Sequence, residues 1–416
     1  PRVFVERIDI EGNTTTLDRV IRRQFDTVEG DPFNPRAIRA AADRIRALGF
    51  FSEVDVQTRP GSRPDTVIVD VNVKEQPTGS FSIGGSYSTS TGLGAVLSLS
   101  ERNFLGRGQD LNASIGFGVA NQSYELSLTE PSLLARDVSG TMSLFYRVSS
   151  KFNANFDTRS AGLSPSISFP TGLRTRATLR YRFSSDTMNN VSGTDSTVIL
   201  GDVGTRTTSS LGYGLEFDST RATLDPTTGI KVNFDQDFAG LGGNNRWLKT
   251  VAKAAAFREL GNGDYVLKAQ IEGGLITTFG SSTRVIDRFA LNEQQVRGFA
   301  FKGLGPRDTA ATGNDYVGGN RYVAARLEAQ FPLFFPKESG VAGGLFYDVG
   351  SVWGLNSTAG TGGSTIDDSL HLRSSVGLSV FWDTPVGPLR FNYAVALSRQ
   401  SYDDLQPFSL TLESKF

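Results

Sequence analysis

Arg174-Thr175-Arg176-Ala177-Thr178-Leu179-Arg180-Tyr181-Arg182-Phe183 repeats with a period of two. Thr175, Ala177, Leu179, Tyr181 and Phe183 fall on one face of an extended strand, and Arg174, Arg176, Arg180 and Arg182 on the other. Each arginine held at the midplane of a bilayer costs roughly 2 to 4 kcal/mol, so the basic face must meet water or carboxylates. The opposite face is free to meet hydrocarbon. A soluble β-sandwich shows the same alternation with its apolar face turned into a core. One strand leaves both architectures open, and the choice rests on how the pattern repeats.

It repeats from residue 77 to the C-terminus. Leu111, Ala113, Ile115, Phe117 and Val119 alternate with polar or glycine positions, as do Tyr124, Leu126 and Leu128. Tyr265, Leu267, Ala269 and Ile271 oppose Lys268, Gln270 and Glu272, while Leu389, Phe391, Tyr393, Val395 and Leu397 oppose Arg390 and Asn392. Tight turns such as Asp225-Pro226-Thr227-Thr228-Gly229 alternate with long polar excursions, at residues 185–205 and 354–369. Short turns at one end and long loops at the other characterise an outer-membrane barrel, whose closure removes the edges that a sheet in lipid cannot tolerate. The spacing predicts a transmembrane antiparallel β-barrel of about 16 strands over residues 77–416, an even number as bacterial barrels require.

Composition agrees. The 46 glycines and 29 phenylalanines, against 2 methionines, suit many strands and turns better than a helical bundle. No continuous apolar run is long enough for a membrane helix, which leaves a barrel open because its apolar residues are spread over every second position. A net charge of −1 removes the electrostatic case for nucleic-acid binding. The absence of cysteine excludes disulfides and thiolate metal sites and is compatible with an oxidising envelope compartment. The chain starts at Pro1 without a basic, apolar leader, which predicts a processed or trimmed product.

Residues 1–76 have a different texture and predict a small α+β module in the order β-α-α-β-β. Phe4-Val5-Glu6-Arg7-Ile8-Asp9-Ile10 is a short strand. Leu17, Val20, Ile21 and Phe25 recur at helical spacing, and Asn34-Pro35 opens a second helix with Ile38, Ala41, Ala42, Ile45 and Leu48 on one stripe. Val54-Asp55-Val56 and Val67-Ile68-Val69-Asp70-Val71-Asn72-Val73 follow as strands. Such a module leaves a strand edge that either templates the addition of another chain or is simply shielded by charge.

Within the barrel region, residues 280–318 lack sustained alternation and carry Val296-Arg297-Gly298-Phe299. Arg297 is a permanent cation, Gly298 is free to take a positive φ, and Phe299 is a rigid apolar anchor. Two downstream strands supply candidate acceptors. In Ala325-Arg326-Leu327-Glu328-Ala329-Gln330-Phe331, Glu328 shares a face with Arg326 and Gln330; in Leu345-Phe346-Tyr347-Asp348-Val349-Gly350, Asp348 faces away from Leu345, Tyr347 and Val349. Spacing alone leaves two outcomes. Arg297 either pairs with nothing in solvent or reaches both acids in a partly dry lumen, where losing one partner strands a charge at about 3 to 5 kcal/mol.

Taken together these phrases resemble the BamA family of outer-membrane β-barrel assembly factors, in the POTRA-barrel superfamily. Residues 1–76 are similar to a POTRA domain in Arg7-Ile8-Asp9-Ile10-Glu11-Gly12-Asn13, Glu29-Gly30-Asp31 and Leu48-Gly49-Phe50-Phe51. Glu75-Gln76-Pro77-Thr78-Gly79 looks like the junction of the last POTRA domain with the barrel, and Asn103-Phe104-Leu105-Gly106-Arg107-Gly108 is similar to an early hairpin of the family. Val296, Arg297, Gly298 and Phe299 match the signature of the family's long inward-folded loop. Leu327-Glu328 and Phe346-Tyr347-Asp348-Val349-Gly350 match the strand motifs whose acids hold the motif arginine, so the resemblance gives Glu328 and Asp348 the acceptor role.

The resemblance implies a non-enzymatic insertase in the bacterial outer membrane, with the POTRA domain in the periplasm and with no cofactor or metal. It implies a lateral seam between the first and last barrel strands, with Phe81, Ile83, Gly84, Leu410, Leu412 and Phe416 along it. Expected partners are outer-membrane lipids, unfolded β-barrel client proteins and accessory lipoproteins, and no nucleic acid. The alternative is a transport barrel of the same superfamily, either TamA-like or a two-partner secretion pore. A hydrolase lacks support, since the only histidine, His371, reads as a lumen or rim residue on a strand face with Arg373 and Ser375, and no Walker, zinc-ligand or dinucleotide motif occurs. Two positions depart from the family's pattern. Asn292-Glu293-Gln294-Gln295 stands where members commonly carry Gly-Gly, so a different approach of the loop is expected. Glu413 replaces the glycine that usually permits the last strand to bend inward. Family members carry several POTRA domains, and the single one here predicts a fragment of a longer protein.

Overall fold

The computed structural model describes residues 2–150, 155–220, 227–261, 263–385 and 387–415. Asp225 and Pro226 of the quoted turn, and Phe416 of the expected seam, lie outside the described residues. The chain forms two compact units, one of Pro1–Phe81 with Ser98–Ala113 and Leu126–Thr141, the other of Ser82–Leu97, Ser114–Glu125 and Met142–Phe416.

In the first unit, β1 (Phe4–Glu11), α1 (Asp18–Arg22), α2 (Pro35–Ala47), β2 (Phe51–Pro60) and β3 (Thr66–Glu75) form the α+β module. The sheet order is β1-β3-β2, with β1 parallel and β2 antiparallel to the central β3. Helix α2 starts where it does because the Asn34 side chain accepts from the amides of Arg36 and Ala37, while Pro35 occupies the first turn, where no amide is needed. Its Ile38, Ala41 and Ile45 pack with Val20 and Ile21 of α1 against Val5, Ile8, Val69 and Val71. Leu17 departs from the expected stripe. Helix α1 is only five residues long, and Leu17 is its N-cap in an extended conformation, 41% exposed, so helical spacing does not reach it.

The remaining strands close into a barrel. They are β4 (Gly79–Ser88), β5 (Gly92–Phe104), β6 (Gln109–Gly118), β7 (Asn121–Glu130), β8 (Ser139–Ser149), β9 (Asp157–Gly172), β10 (Thr175–Asn189), β11 (Gly204–Asp218) and β12 (Gly229–Gly243). They continue with β13 (Trp247–Leu260), β14 (Tyr265–Thr278), β15 (Arg321–Pro332), β16 (Val341–Trp353), β17 (Arg373–Thr384), β18 (Gly387–Ser398) and β19 (Phe408–Lys415). Each strand pairs with its chain neighbours and β19 returns to β4, giving the sixteen-stranded antiparallel wall that the period-two pattern predicts. The excursion expected from residue 185 starts later, because β10 stays paired with β11 through Met188. No helix among the described residues is long and apolar enough to cross a membrane.

Which way the faces point decides between barrel and sandwich. Along β16, Leu345 and Tyr347 are 51% and 42% exposed, whereas Phe346 and Asp348 between them are 2% and 0% exposed. Leu211, Tyr213 and Leu215 on β11 and Tyr393, Val395 and Leu397 on β18 likewise face out, while Arg284, Arg297, Asp308 and Asp315 are buried. Apolar side chains outside and charges inside invert the plan of a soluble core. The basic face of β10 finds its carboxylates across the wall. Arg180 donates from Nε and Nη2 to Asp237 and from Nη1 to Asp235, each at 2.8 Å, and the Arg182 guanidinium lies 4.6 Å from the centre of the Phe145 ring. Arg174 is the exception, since it sits in the turn before β10 with φ +59.

Candidate functional site: a loop clamp and a short seam

Between β14 and β15 the chain leaves the wall, and this segment carries Arg297. The register of β15 against β16 sets Arg326 opposite Asp348 and Glu328 opposite Phe346, so both acids project inward from adjacent strands. Arg297 Nε and Nη2 donate to the two Asp348 oxygens at 2.7 and 2.8 Å, and Nη1 donates to Glu328 at 2.5 Å. The Arg297 backbone amide adds a third bond to Asp348 at 3.0 Å. Arg297 and Asp348 are 2% and 0% exposed, so no water competes for these groups. Bidentate, charge-assisted geometry of this kind fixes orientation as well as energy.

The rest of the motif is placed by packing. Val296 and Phe299 are buried with Leu291, Leu304, Tyr322 and Val352, and Gly350 leaves the space that Val296 fills, since a Cβ there would stand 2.5 Å from Val296 Cγ2. Gly298 has φ +91, a conformation that glycine adopts without strain. Gly298 and Phe299 form a two-residue antiparallel ladder with Gln406 and Leu405. The approach through Asn292-Glu293-Gln294-Gln295 is a closed turn. The amides of Gln295 and Val296 both donate to the Asn292 carbonyl at 3.0 Å, and the Asn292 side chain accepts from the Gln294 amide at 2.8 Å. A glycine pair is therefore not needed here, because asparagine supplies the turn.

Several contributors were not legible as a pattern. Phe346 lies flat under the clamp, with the Arg297 guanidinium 3.5 Å from its ring centre. Its one signal is parity, an aromatic residue on the same face as Asp348. Ser375 donates to the Arg297 carbonyl at 2.6 Å, and the Arg326 guanidinium donates to the Gln294 carbonyl. Ser90, in the turn after β4, donates to Glu293 at 2.5 Å. No spacing rule connects residues that far apart in the chain.

The closure between β19 and β4 is short. Thr411 stands opposite Ser88 and the register runs to Lys415 opposite Gly84, whereas β13 and β14 pair along their whole length from Trp247 opposite Thr278 to Leu260 opposite Tyr265. On its other side, among the described residues, β19 meets β18 from Phe408 to Leu412. The two ladders are staggered and share little more than Thr411 and Leu412. Leu410 pairs with Phe391 of β18, Leu412 pairs with both Leu389 and Tyr87, and Gly84 pairs with Lys415. Phe81 and Ile83 lie on β4 before the paired stretch, exposed. The backbone continues extended through Glu413, opposite Ser86.

His371 does not lie on a strand, as β17 begins at Arg373; its Nε2 is 2.7 Å from Asp367, and both side chains are partly exposed. Among the described residues no cluster of His, Asp and Glu has the geometry of a metal site.

Comparison with known proteins gives this arrangement a family. Residues 103–416 match the Omp85 superfamily domain, and residues 3–76 match a POTRA model, described as a surface antigen variable number repeat. The outer membrane protein assembly factor BamA of Neorickettsia risticii (strain Illinois) is 30% identical over 414 residues, which cover 99% of this chain and 55% of that protein. Sorting and assembly machinery component 50 homolog A of Xenopus laevis is 27% identical over 421 residues, covering 96% of this chain and 88% of that protein. A crystal structure of BamA from Haemophilus ducreyi lacking POTRA domains 1–3 shares the fold, with a TM-score of 0.90 at 23% identity, covering 100% of this chain and 85% of that one. The chain spans about half the length of the bacterial curated relatives it matches. An inverted, closed wall whose sequence matches the barrel model from the end of its second strand onward, following a matching POTRA module in the chain, makes this chain a member of the Omp85 superfamily, an outer-membrane β-barrel with its POTRA domain in the periplasm.

Proposed function

We propose that this chain assembles β-barrel proteins into the outer membrane without enzymatic chemistry, by opening the pairing between β4 and β19. The observation that carries the reading is the stagger of β19, which among the described residues is laddered to β4 from Thr411 to Lys415 and to β18 from Phe408 to Leu412, with Thr89 bonded to Leu410 just beyond the first ladder. Each ladder bond in a wall contributes little net energy in water but is obligatory in hydrocarbon, so a strand held by short, staggered ladders on both sides is where the cylinder opens at low cost. An opened β4 edge presents backbone donors and acceptors in line, and an unfolded client strand satisfies them by strand addition. Phe81, Ile83 and Gly84 on one side, and Leu410 and Leu412 on the other, then form the first surface the client meets. The driving force is the client's own burial and hydrogen bonding in the bilayer. No cofactor enters the scheme.

In this reading Val296, Arg297, Gly298 and Phe299, clamped by Glu328 and Asp348, hold the loop against β15 and β16, so that the wall away from the seam keeps its form while the seam moves. The names of the relatives, an assembly factor and a sorting and assembly component, support the same activity. Outer-membrane lipids, barrel clients and accessory lipoproteins are the partners it requires.

A seam disulfide tests the proposal directly, because the chain has no cysteine of its own. Ser88→Cys with Thr411→Cys joins facing residues. The oxidised protein is expected to fail to sustain cells depleted of the native protein, and the reduced protein to succeed. Full complementation by verified crosslinked protein removes the opening seam. Depletion should also lower many unrelated outer-membrane barrels together; loss of a single exported protein instead would support the TamA-like or two-partner secretion reading.

A further inference from the structure

The segment that leads into β19, residues 399–407, is strapped to the inside of the barrel by a second buried ion pair. Arg373, at the start of β17, donates from Nε and Nη2 to the two oxygens of Asp403 at 2.9 Å each, and the side chains are 1% and 0% exposed. Arg373 Nη1 donates to the His371 carbonyl at 2.9 Å, and the Gln400 amide donates to Asp403 at 2.7 Å. The next residue is tied to the long loop instead. Ala300 N donates to the Asp404 carbonyl at 3.0 Å, Asp404 N donates to the Gly303 carbonyl at 2.8 Å, and Arg307 Nη2 meets the Asp404 carboxylate at 2.7 Å. Leu405 and Gln406 then pair with Phe299 and Gly298 of the clamp motif itself. Ala394 N takes up the Pro407 carbonyl at 2.8 Å, and β19 begins.

We infer that Arg373 and Asp403 form a second clamp, which positions the upper end of β19, and that the Gly298–Phe299 ladder with Leu405–Gln406 couples seam closure to docking of the Arg297 loop. β19 is held to its neighbours by short ladders, so what fixes its entry sets how often it leaves β4. That entry is fixed by one desolvated bidentate pair and by backbone bonds to the very residues the Arg297 clamp immobilises. A buried pair broken on one side strands the other charge, which makes the strap either docked or released rather than gradually loosened. Release of the strap withdraws the ladder partner of Gly298 and Phe299, and undocking of the loop withdraws the partner of Leu405 and Gln406. Each event therefore favours the other. Arg373 and Asp403 are positioning residues that act through β19. This inference rests on the proposed seam, whose position it presumes.

The test reads the seam and the loop separately, in purified full chain refolded into phospholipid vesicles and without any client. Oxidation of the Ser88→Cys, Thr411→Cys pair reports seam closure, and limited proteolysis of residues 280–318 reports loop docking. Asp403→Asn keeps the shape of the side chain and removes its charge. It is expected to slow crosslinking about threefold or more and to speed cleavage of the loop by a similar factor. The exchange Arg373→Asp with Asp403→Arg is expected to recover at least half of both losses. Barrels that fail to fold are recognised by lost heat-modifiable migration, and Arg373→Lys, which keeps the charge and loses the bidentate fork, then serves as the second variant with a smaller shift in the same direction. Unchanged crosslinking in Asp403→Asn overturns the clamp. Slower crosslinking with an unaltered loop, or losses that the exchange leaves in place, overturns the coupling. A crosslinked barrel that still assembles clients would defeat the proposed function while leaving this measurement intact.

Discussion

The clamp on β15 and β16 and the closure of β19 on β4 are made of the same materials and held in opposite ways. At the clamp one guanidinium is gripped by two carboxylates and a ring, and the backbone carbonyl of the same arginine accepts from Ser375. At the closure, among the described residues, a handful of backbone bonds and the Thr89 side chain span the gap. The wall is thus rigid where a loop crosses the lumen and weak where it meets itself. Stability has been concentrated on one side of the cylinder, and the difference is what makes a directed opening physically reasonable, since a uniform barrel would have no preferred place to part.

The sharpest way to break this contrast is Arg297→Ala. It removes the guanidinium that joins Asp348 to Glu328 and leaves Arg326, 3.6 Å from Asp348, as the cation beside them, at about 3 to 5 kcal/mol. Proteolysis of residues 280–318 in the folded protein should accelerate by about a hundredfold or more. The barrel should still insert, because the ladders do not pass through Arg297. Unchanged protection of the loop would show that the clamp is not what docks it.

Gly298→Ala is gentler. The new Cβ would stand 3.0 Å from Ala394 Cβ on a backbone at φ +91, a left-handed conformation that costs a non-glycine residue about 1 to 2 kcal/mol. A roughly tenfold loss of loop protection is expected, with the clamp's ion pairs retained. An unaltered cleavage rate would mean the chain reaches Asp348 by another path.

Thr89→Val probes the weak side. Thr89 Oγ1 accepts from Leu410 N at 2.8 Å, and losing that bond costs about 1 kcal/mol. The same loss within the full-length pairing of β13 and β14 would pass unnoticed. At the seam it should raise opening about fivefold, read as slower crosslinking between positions 88 and 411. Equal effects at both places would erase the distinction between strong and weak wall.

How much of this was readable beforehand follows from the range of each interaction. The barrel was legible because alternation is local, and every strand repeats it. Glu328 and Asp348 were legible as inward acids for the same reason, since parity alone sets the face on which they sit. What escaped was everything that depends on the path of the loop. Phe346 carries an apolar side chain to a charged site, Glu293 reaches Ser90, and Arg373 meets Asp403; each pairing joins segments with no shared period. The seam's stagger escaped too, because the alternation of β19 is consistent with several registers and only the neighbouring strands select one. Leu17 shows the same limit at small scale, where a five-residue helix is too short for spacing to define its stripe.

Glu75 supplies the smallest effect and a different kind of grip, one without a cation. Its carboxylate, at the end of β3, accepts from Thr14 Oγ1 at 2.8 Å, from the Thr15 amide at 3.0 Å and from the Thr16 amide at 2.6 Å. Burial pushes this carboxyl up, but the bonds from Thr16, Thr14 and Thr15 outweigh it and bring it down to about 2. The sign follows from linkage. A carboxyl depressed in the folded state stabilises fully above its ordinary value near 4.5 and loses that contribution as pH falls from there toward 2. Melting curves of the POTRA transition for the native chain and for Glu75→Gln should therefore be separated at pH 6 and converge as pH falls to about 2. The separation should be modest, since solvent reaches part of the site. A gap that persists undiminished at low pH would assign the effect to shape rather than charge, and the end of β3 would then be held by the fit of this side chain and not by its ionisation.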